Sequence, residues 1–391
     1  MDLLLIHLPL GSLIRIPTGL LSIADWIERR GGEVEIHDGR LWADRVNGWL
    51  LAEKIERARF VGVSMMTVQI PWFLSLLDGF GSFLRGKLIL GGIHPTLFPD
   101  QCKSYCDFVC SEAGEDFTAQ ILGCNGQAFD YAATGPRNYD LVDLDVYMAL
   151  GHTIHDSIIG PGHVTVETSR GCNARCAFCV NTCLPWGHPW RPRDLDVVVA
   201  ECDRLIARGA TRFTWDDDYF LADARRAVEL VQRVRTLCPE MTWGASARVR
   251  DVVRNADIIT ELAHDGGLRS LNIGIESGSA RILQLLRKPH TPSDAVKCAE
   301  ILAHAGVRAI YSYMKGVPTE SDADRRETAE LAKQIQTLHE NSRTSPPGGT
   351  FQQYRPLPGT ELAAMENYRW PSSLPQWNEW LRTDEAKGMQ F

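Results

Sequence analysis

Apolar and polar positions in the first third of the chain alternate in blocks, and each block predicts a strand or a helix. Short apolar runs typical of buried parallel strands are separated by longer stretches with helical spacing. A helix is expected to follow Pro17 and to end at Gly31-Gly32, because glycines favour helix termination. This order predicts a doubly wound parallel α/β sheet in residues 1–125. Its expected strands are 3–7, 34–36, 58–64, 87–92 and 107–110.

The same alternation resumes at about residue 162. A helix is expected at 195–207, with Asp194 as its N-cap. Six strands are too few for a closed eight-stranded barrel, so residues 161–340 predict an open, partial (β/α)6 barrel. Residues 341–391 are expected to hold the last strand and a C-terminal extension, and residues 126–160 an ordered connecting strap. The expected strands are 163–168, 211–215, 242–248, 268–275, 307–313 and 349–354.

Composition narrows the class of protein. A chain of 391 residues is long enough for two domains. The formal charge of −8, without a basic run, argues against a nucleic-acid partner. No apolar stretch approaches the ~20 residues that span a bilayer, so no membrane partner is expected. The odd count of eleven cysteines in a large chain favours free thiols in a reducing cytoplasm over a disulfide scaffold.

Three cysteines carry the strongest chemical signal. Cys172, Cys176 and Cys179 are separated by three residues and then by two. Soft thiolates this close together suit three irons of a cubane iron–sulfur cluster. A cubane has four irons, so the fourth would stay open to a substrate or cofactor. The alternative is a set of three unrelated core cysteines. A second set, Cys102, Cys106 and Cys110, approaches an apolar strand and is expected to be buried or incidental.

The surrounding string from Thr168 to Val180 resembles the cluster loop of radical S-adenosylmethionine (SAM) enzymes. Ser169-Arg170-Gly171 ahead of the first cysteine and Phe178 before the third also match that family. The resemblance implies a [4Fe–4S] cluster and SAM as cofactors, with an external one-electron donor such as flavodoxin or ferredoxin. It further implies that the reduced cluster cleaves SAM to a 5′-deoxyadenosyl radical, which takes hydrogen from the substrate. No protein general base is needed for that chemistry, so no catalytic residue is nominated.

The resemblance also implies which strand-end residues grip SAM. Arg248 could pair with its carboxylate, because a guanidinium is planar and bidentate. Asp216 or Asp217 could accept from its amino group, although an aspartate run is also typical of a helix cap or solvated turn. Arg248 could instead form a surface salt bridge. The expected SAM-binding residues are Phe178, Asp216, Asp217, Ser246, Arg248 and Glu276.

The first half resembles the Rossmann-like cobalamin-binding domain that precedes the radical domain in one branch of this superfamily. The Pro-Thr-Gly-Leu helix start at Pro17, the Gly-Gly-Ile-His-Pro loop at Gly91 and the Glu-Ala-Gly-Glu turn at Glu112 carry the resemblance. The Asp-x-His-x-x-Gly loop that ligates cobalt in many such domains has no counterpart here. A scaffold without cobalamin is the alternative, and His94 is expected to be a loop hydrogen-bonding residue rather than a metal ligand. The expected cobalamin-binding residues are Ser64, Thr67, Gly91, Gly92, His94 and Glu112.

This branch resembles methyltransferases that act on unactivated carbon and the anaerobic cyclase of chlorophyll synthesis. The leading hypothesis is therefore a cobalamin-dependent radical SAM methyltransferase acting on a small-molecule intermediate of natural-product type. A cyclisation, rearrangement or oxidation with the same cofactors is the alternative, and a cofactor-based sensor protein is a third. The sequence does not identify the substrate. Trp370, Trp377 and Trp380 are expected to plug the barrel rather than to line a substrate cavity.

Overall fold

The computed structural model describes residues 1–9, 15–39, 47–124, 126–150, 160–341, 347–366 and 368–383. The chain forms two compact units. The first comprises Met1–Val146, Leu184–Trp186 and Arg369–Phe391, and the second comprises Tyr147–Cys183 and Gly187–Tyr368. The second unit is therefore an insertion within the sequence of the first. None of the helices in the described ranges is long and apolar enough to cross a membrane.

A five-stranded parallel sheet forms the centre of the first unit. Its strand order is β2-β1-β3-β4-β5, so consecutive strands are laid down in both directions from β1. This order confirms the predicted doubly wound sheet, in which ligand loops follow the carboxyl ends of the strands. The strands are β1 (Leu3–His7), β2 (Val34–Asp38), β3 (Phe60–Ser64), β4 (Leu88–Gly91) and β5 (Phe108–Val109).

Helices cover the first sheet and end where the sequence provides a stop. Gly123 follows α6 in the left-handed region, at φ 75°, and its N–H bonds back to the last turn. The strap predicted at 126–160 is described as far as residue 150. It contacts α1, where Gly135 N–H donates to Asp25 and Phe129 packs edge-on against Trp26. The helices are α1 (Thr18–Glu28), α2 (Asn47–Arg57), α3 (Ile70–Leu84), α4 (Ile93–Leu97), α5 (Pro99–Cys102), α6 (Gly114–Leu122) and α7 (Leu144–Leu150).

The C-terminal tryptophans belong to the core of the first unit. Helix α16 (Leu374–Trp380) buries Leu374 and Trp377 against side chains from β1, β3, β4 and α3. The Trp377 indole N–H donates to the Gln101 side chain at 2.9 Å, and Trp370 stacks on the Trp377 ring. The prediction that these residues plug the barrel was wrong, because the helices of the first unit offer them an apolar face.

The second unit is built on six parallel strands in the order β13-β12-β11-β10-β9-β6. All neighbouring pairs are parallel, and the sheet stays open between β13 and β6 in the described residues. This confirms the predicted partial barrel. A separate antiparallel pair, β7 (Ser169–Arg170) with β8 (Arg191–Pro192), lies beyond β6. The barrel strands are β6 (His163–Val166), β9 (Arg212–Trp215), β10 (Thr242–Ala247), β11 (Leu268–Glu276), β12 (Arg308–Lys315) and β13 (Gly348–Gln353).

The two faces of the second sheet differ in character. On β10, Trp243, Ala245 and Ala247 are buried, whereas Ser246 between them is exposed. Asp194 caps α8 as predicted, accepting from the N–H groups of Asp196 and Val197. The helices are α8 (Leu195–Ala207), α9 (Ala224–Leu237), α10 (Val249–Arg254), α11 (Ala256–His264), α12 (Ala280–Leu285), α13 (Pro292–His304), α14 (Asp322–Asn341) and α15 (Glu361–Met365).

Candidate active site

The three-cysteine loop leaves the carboxyl end of β6, and backbone hydrogen bonds fix it on both sides. Cys172 N–H donates to Gly187 O at 2.9 Å. The buried Ala177, between the second and third cysteines, donates to Leu286 O and accepts from Leu362 N–H. The segment from Cys172 to Cys179 is therefore tied to the end of α12 and the start of α15.

The three thiols influence one another electrostatically, which shows that the structure brings them together. Burial, together with smaller effects of the neighbouring Cys176 and Cys172, raises the pKa of Cys179 to about 11. Burial also raises the pKa of Cys172. The positive charge of iron is what would favour thiolates here. Among the described residues no three His, Cys, Asp or Glu side chains converge on a single-ion site.

The second cysteine set lies in the first unit and is unsuited to a cluster. Cys102 and Cys110 are buried, and burial raises the pKa of Cys102 to about 12 and that of Cys110 to about 11. Cys106 donates its S–H to the Cys102 carbonyl. These thiols pack in the core and bond to backbone, in agreement with the expectation.

The aspartates after β9 have three different environments. Asp217 is buried and accepts hydrogen bonds at 2.6 Å from Thr168 N–H, Thr168 Oγ1 and Ser169 Oγ. Burial raises its pKa to about 6, against the hydroxyl and amide donors that favour the ionised form. Its oxygens are used within the protein, so the structure differs from the expectation that it binds the amino group of SAM. Asp216 is partly exposed, and Asp218 is exposed.

Sequence reasoning missed Asp218. Its carboxylate accepts from Gly171 N–H at 3.0 Å, and its negative charge contributes to the raised pKa of both Cys172 and Cys179. Only its place at the end of β9 could have indicated it, since strand ends of this sheet share one edge.

Arg248 lies at the end of β10 within a small polar group. Its Nε is 3.8 Å from Asp251 Oδ2, and its guanidinium lies over the Tyr219 ring at 4.7 Å. The Tyr219 hydroxyl donates to Asp251 Oδ1 at 2.9 Å. The positive charge of Arg248 lowers the pKa of Cys172 and so opposes the effect of burial on that thiol. Tyr219 and Asp251 were not predicted. They orient a cation beside the first cysteine, where a carboxylate could pair with it.

Glu276 is buried at the end of β11 in an uncommon backbone conformation. Its φ is 69°, the left-handed region that favours glycine, at an irregularity in the pairing with β12. Its Oε1 accepts from Lys288 Nζ at 3.2 Å, and both side chains are largely buried. A Cβ on Gly274 would lie 2.3 Å from that same oxygen, so a side chain at this position would displace the Glu276 carboxylate. Lys288, which sequence reasoning missed, lies 6.0 Å from the centre of the Phe178 ring.

The predicted cobalamin residues cluster at the carboxyl edge of the first sheet, with different exposures. Ser64, Thr67 and Gly91 are partly exposed, and Glu112 is exposed. Gly92 has φ 98°, and a Cβ there would lie 2.6 Å from Met65 N. Gly92 therefore allows close approach of the loop after β3.

His94 is fully buried and does not reach solvent. Its Nδ1 shares a hydrogen bond with Thr67 Oγ1 at 3.1 Å, and its ring packs against Phe98 and Trp377. Burial lowers its pKa to about 4. The structure agrees with a loop hydrogen-bonding role and contradicts direct contact between His94 and cobalamin, since protein atoms cover the ring.

The radical SAM superfamily model matches residues 166–332, from the end of β6 into α14. The three cysteines and the strand ends described above all lie inside this match.

The chain contains a radical SAM domain. Members of this superfamily use a [4Fe–4S] cluster and SAM, and the match identifies the second unit as the radical SAM domain.

Relatives extend beyond the radical SAM domain. An uncharacterized methyltransferase of Pyrococcus horikoshii is 28% identical over 226 residues, covering 58% of this chain and 44% of the relative. The anaerobic magnesium-protoporphyrin IX monomethyl ester cyclase of Cereibacter sphaeroides is 24% identical over 365 residues, covering 85% of this chain and 58% of the relative. The chain thus spans about half the length of these curated relatives.

A solved structure shares the fold of nearly the whole chain. The radical SAM methyltransferase TsrM from Kitasatospora setae, with cobalamin and a [4Fe–4S] cluster bound, has a TM-score of 0.73 at 17% identity. The alignment covers 98% of this chain and 86% of TsrM. Both units of this chain therefore have counterparts in that fold.

Proposed function

We propose that this protein is a cobalamin-dependent radical SAM methyltransferase that methylates an unactivated carbon of a small-molecule intermediate. The observation that carries the proposal is the fold shared with TsrM over 98% of the chain, since that methyltransferase holds cobalamin and a cluster together. A relative named as a methyltransferase supports the same reaction class.

The radical SAM domain offers a coherent set of cofactor ligands. Cys172, Cys176 and Cys179 would hold three irons, and Arg248 would pair with the carboxylate of SAM. Asp216 remains the candidate for the amino group, because Asp217 is engaged with the cluster loop. The bound cofactors would supply one-electron cleavage of SAM and a transferable methyl group. The protein's part is to orient these groups and to exclude water.

The first unit is the proposed cobalamin site. The partly exposed residues Ser64, Thr67 and Gly91 lie at the carboxyl edge of the sheet, where doubly wound folds bind ligands. These groups suit the amides of a corrin ring, because hydroxyl and backbone groups both donate and accept hydrogen bonds. Glu112 is exposed at the same edge, and the Thr67 hydroxyl shares a hydrogen bond with the His94 ring.

Metal and corrin content test the proposal directly. The protein is purified without oxygen and reconstituted with iron, sulfide and hydroxocobalamin. We expect about four irons per chain and one cobalt. Cys176→Ala should lower the iron content, whereas Cys183→Ala, outside the triad in the same segment, should not. Retention of iron without cobalt would contradict the cobalamin part of the proposal.

A cyclisation or oxidation with the same cofactors is the second candidate. It is favoured by the identity with the anaerobic cyclase, which extends over 85% of this chain. The reactions differ in how SAM is consumed. A methyltransferase of this kind converts SAM to S-adenosylhomocysteine when reduced cobalamin is present, whereas a cyclase need not. Formation of 5′-deoxyadenosine alone, with no S-adenosylhomocysteine, would favour the second candidate.

A further inference from the structure

The segment between β6 and Cys172 is held by charged side chains from three other elements. Its donors point to aspartates after β9: Thr168 and Ser169 to Asp217, and Gly171 N–H to Asp218. Thr168 and Ser169 are almost completely buried. Buried donors without an acceptor would be costly, so these carboxylates fix where the backbone runs.

The acceptors of the same segment are satisfied by two arginines. Arg226, on α9, donates to Thr168 O at 3.1 Å, to Thr168 Oγ1 at 3.3 Å and to Arg193 O at 2.8 Å. Arg193 donates to Glu167 O at 2.8 Å and forms a fully buried ion pair with Glu201 on α8. Thr168 is the shared member, because its N–H, hydroxyl and carbonyl all have charged or backbone partners.

We propose that Asp217 is a positioning residue whose buried carboxylate fixes Thr168 and Ser169 and thereby sets the place of Cys172 for cluster binding. We call Thr168, Ser169 and Asp217 the loop latch. The inference rests on the proposed function, since it concerns the same cluster. It separates Asp217 from residues that touch SAM, although all three aspartates are adjacent in sequence.

The geometry favours this role over cofactor contact. One carboxylate oxygen accepts from a backbone N–H, and the other from two hydroxyls, all at 2.6 Å. Thr168 precedes Cys172 by only four residues, and Gly171, directly before it, is held by Asp218. A displacement of the latch is therefore transmitted to the first cysteine through a short, constrained peptide.

The test uses the cluster-free full chain and compares variants of the latch. Asp217→Asn keeps the shape but replaces one acceptor oxygen by a donor, and Thr168→Val removes the hydroxyl. In both, we expect the amides of residues 168–172 to exchange with deuterium about ten-fold faster than in wild type, because charge-assisted hydrogen bonds are lost. Iron loading after reconstitution should fall, and the electron paramagnetic resonance signal of the reduced cluster should broaden.

Two matched controls separate the latch from general damage. Thr168→Ser keeps the hydroxyl that Thr168→Val removes, so it should keep the slow exchange and the iron loading of wild type. Asp294→Asn alters a carboxylate that likewise accepts from a threonine N–H and hydroxyl, those of Thr291, but at an exposed helix cap. It should leave the exchange of residues 168–172 unchanged.

The outcomes distinguish the latch from the proposed function. If Asp217→Asn exchanges and loads iron as wild type does, the latch is overturned. The latch is also overturned if the variant loses SAM binding while exchange and iron loading stay unchanged, because Asp217 would then be a cofactor contact. Faster exchange in the variants, with no iron bound by any form including wild type, would support the latch geometry and overturn the cluster function.

Discussion

Charged residues in the radical SAM domain derive their roles from partners that are distant in sequence. Asp216, Asp217 and Asp218 are consecutive, yet one is partly exposed, one is buried under the cluster loop and one is exposed beside the cysteines. The cysteine triad could be predicted because its ligands share one short loop. The division among the aspartates could not, since Asp217 bonds to residues 48 and 49 positions away.

Arg248 provides a prediction about SAM affinity. Arg248→Lys keeps a positive charge but loses the planar pair of donors, so we expect SAM to bind about ten-fold more weakly. Equilibrium dialysis of SAM with the cluster-loaded enzyme measures this. Arg250→Lys, an exposed neighbour on α10, is the matched control and should bind SAM as wild type does. Equal affinities for both variants would remove Arg248 from the SAM site.

His94 provides a prediction about pH. Its pKa of about 4 in the folded protein is below the ordinary value of 6.5, because the ring is buried. As the pH falls from 6.5 towards 4, the unfolded chain takes up a proton that the folded chain does not, so stability falls. The ~1.4 kcal/mol per pKa unit implies a loss of roughly 2 kcal/mol between pH 7 and 4.5.

Urea unfolding at these two pH values measures the loss. The loss should be smaller in His94→Asn than in wild type, whatever the stability of the variant at pH 7. An identical decrease in the two proteins would mean that His94 is protonated in the folded state.

Strands and helices followed closely from the pattern of apolar positions. Strand β1 and helix α8 have the predicted bounds, and the other strands differ by a few residues at their ends. Those ends depend on hydrogen bonds between neighbouring strands, which no local pattern records. The irregularity at Glu276 is of this kind, since its backbone lies in the left-handed region where the pairing of β11 with β12 shifts register.

The loop after β11 tests how strands and helices are joined. Gly278 N–H donates to Thr328 on α14, and a Cβ at Gly278 would lie 2.4 Å from Glu327 O. Gly278→Ala should push the loop away from α14 and lower the stability of the second unit by about 2 kcal/mol. Thermal unfolding measures the change. Gly349→Ala, where an added Cβ meets nothing within 4 Å, should change stability by less than about 0.5 kcal/mol. Similar effects in the two variants would contradict the packing argument.

At the scale of the whole molecule, the sequence predicted two α/β units but not the return of the chain to the first. The hydrophobic pattern of the tryptophan-rich segment does not indicate which unit it packs against. Its packing partner depends on which helices leave an apolar face uncovered. In the structure that face is on the first unit, where Trp377 contacts His94 and Phe98.

Trp377 makes this arrangement testable. Its side chain is 1% exposed, so Trp377→Ala should destabilise the first unit by about 3–5 kcal/mol. Hydrogen exchange should become faster in β1, β3 and β4 and stay unchanged in the barrel strands of the second unit. Trp49→Ala, 86% exposed in the same unit, is the matched control and should leave exchange unchanged. Faster exchange in the barrel strands would instead support the barrel plug.

The insertion of the second unit within the first has a consequence for synthesis on the ribosome. The strands β1 to β5 emerge early, but α16, which completes their core, emerges only after the whole second unit. Nascent domains fold as units as soon as their segments are available. The chain of the radical SAM domain is therefore complete first, and the apolar face of the first unit stays uncovered until α16 has been synthesised.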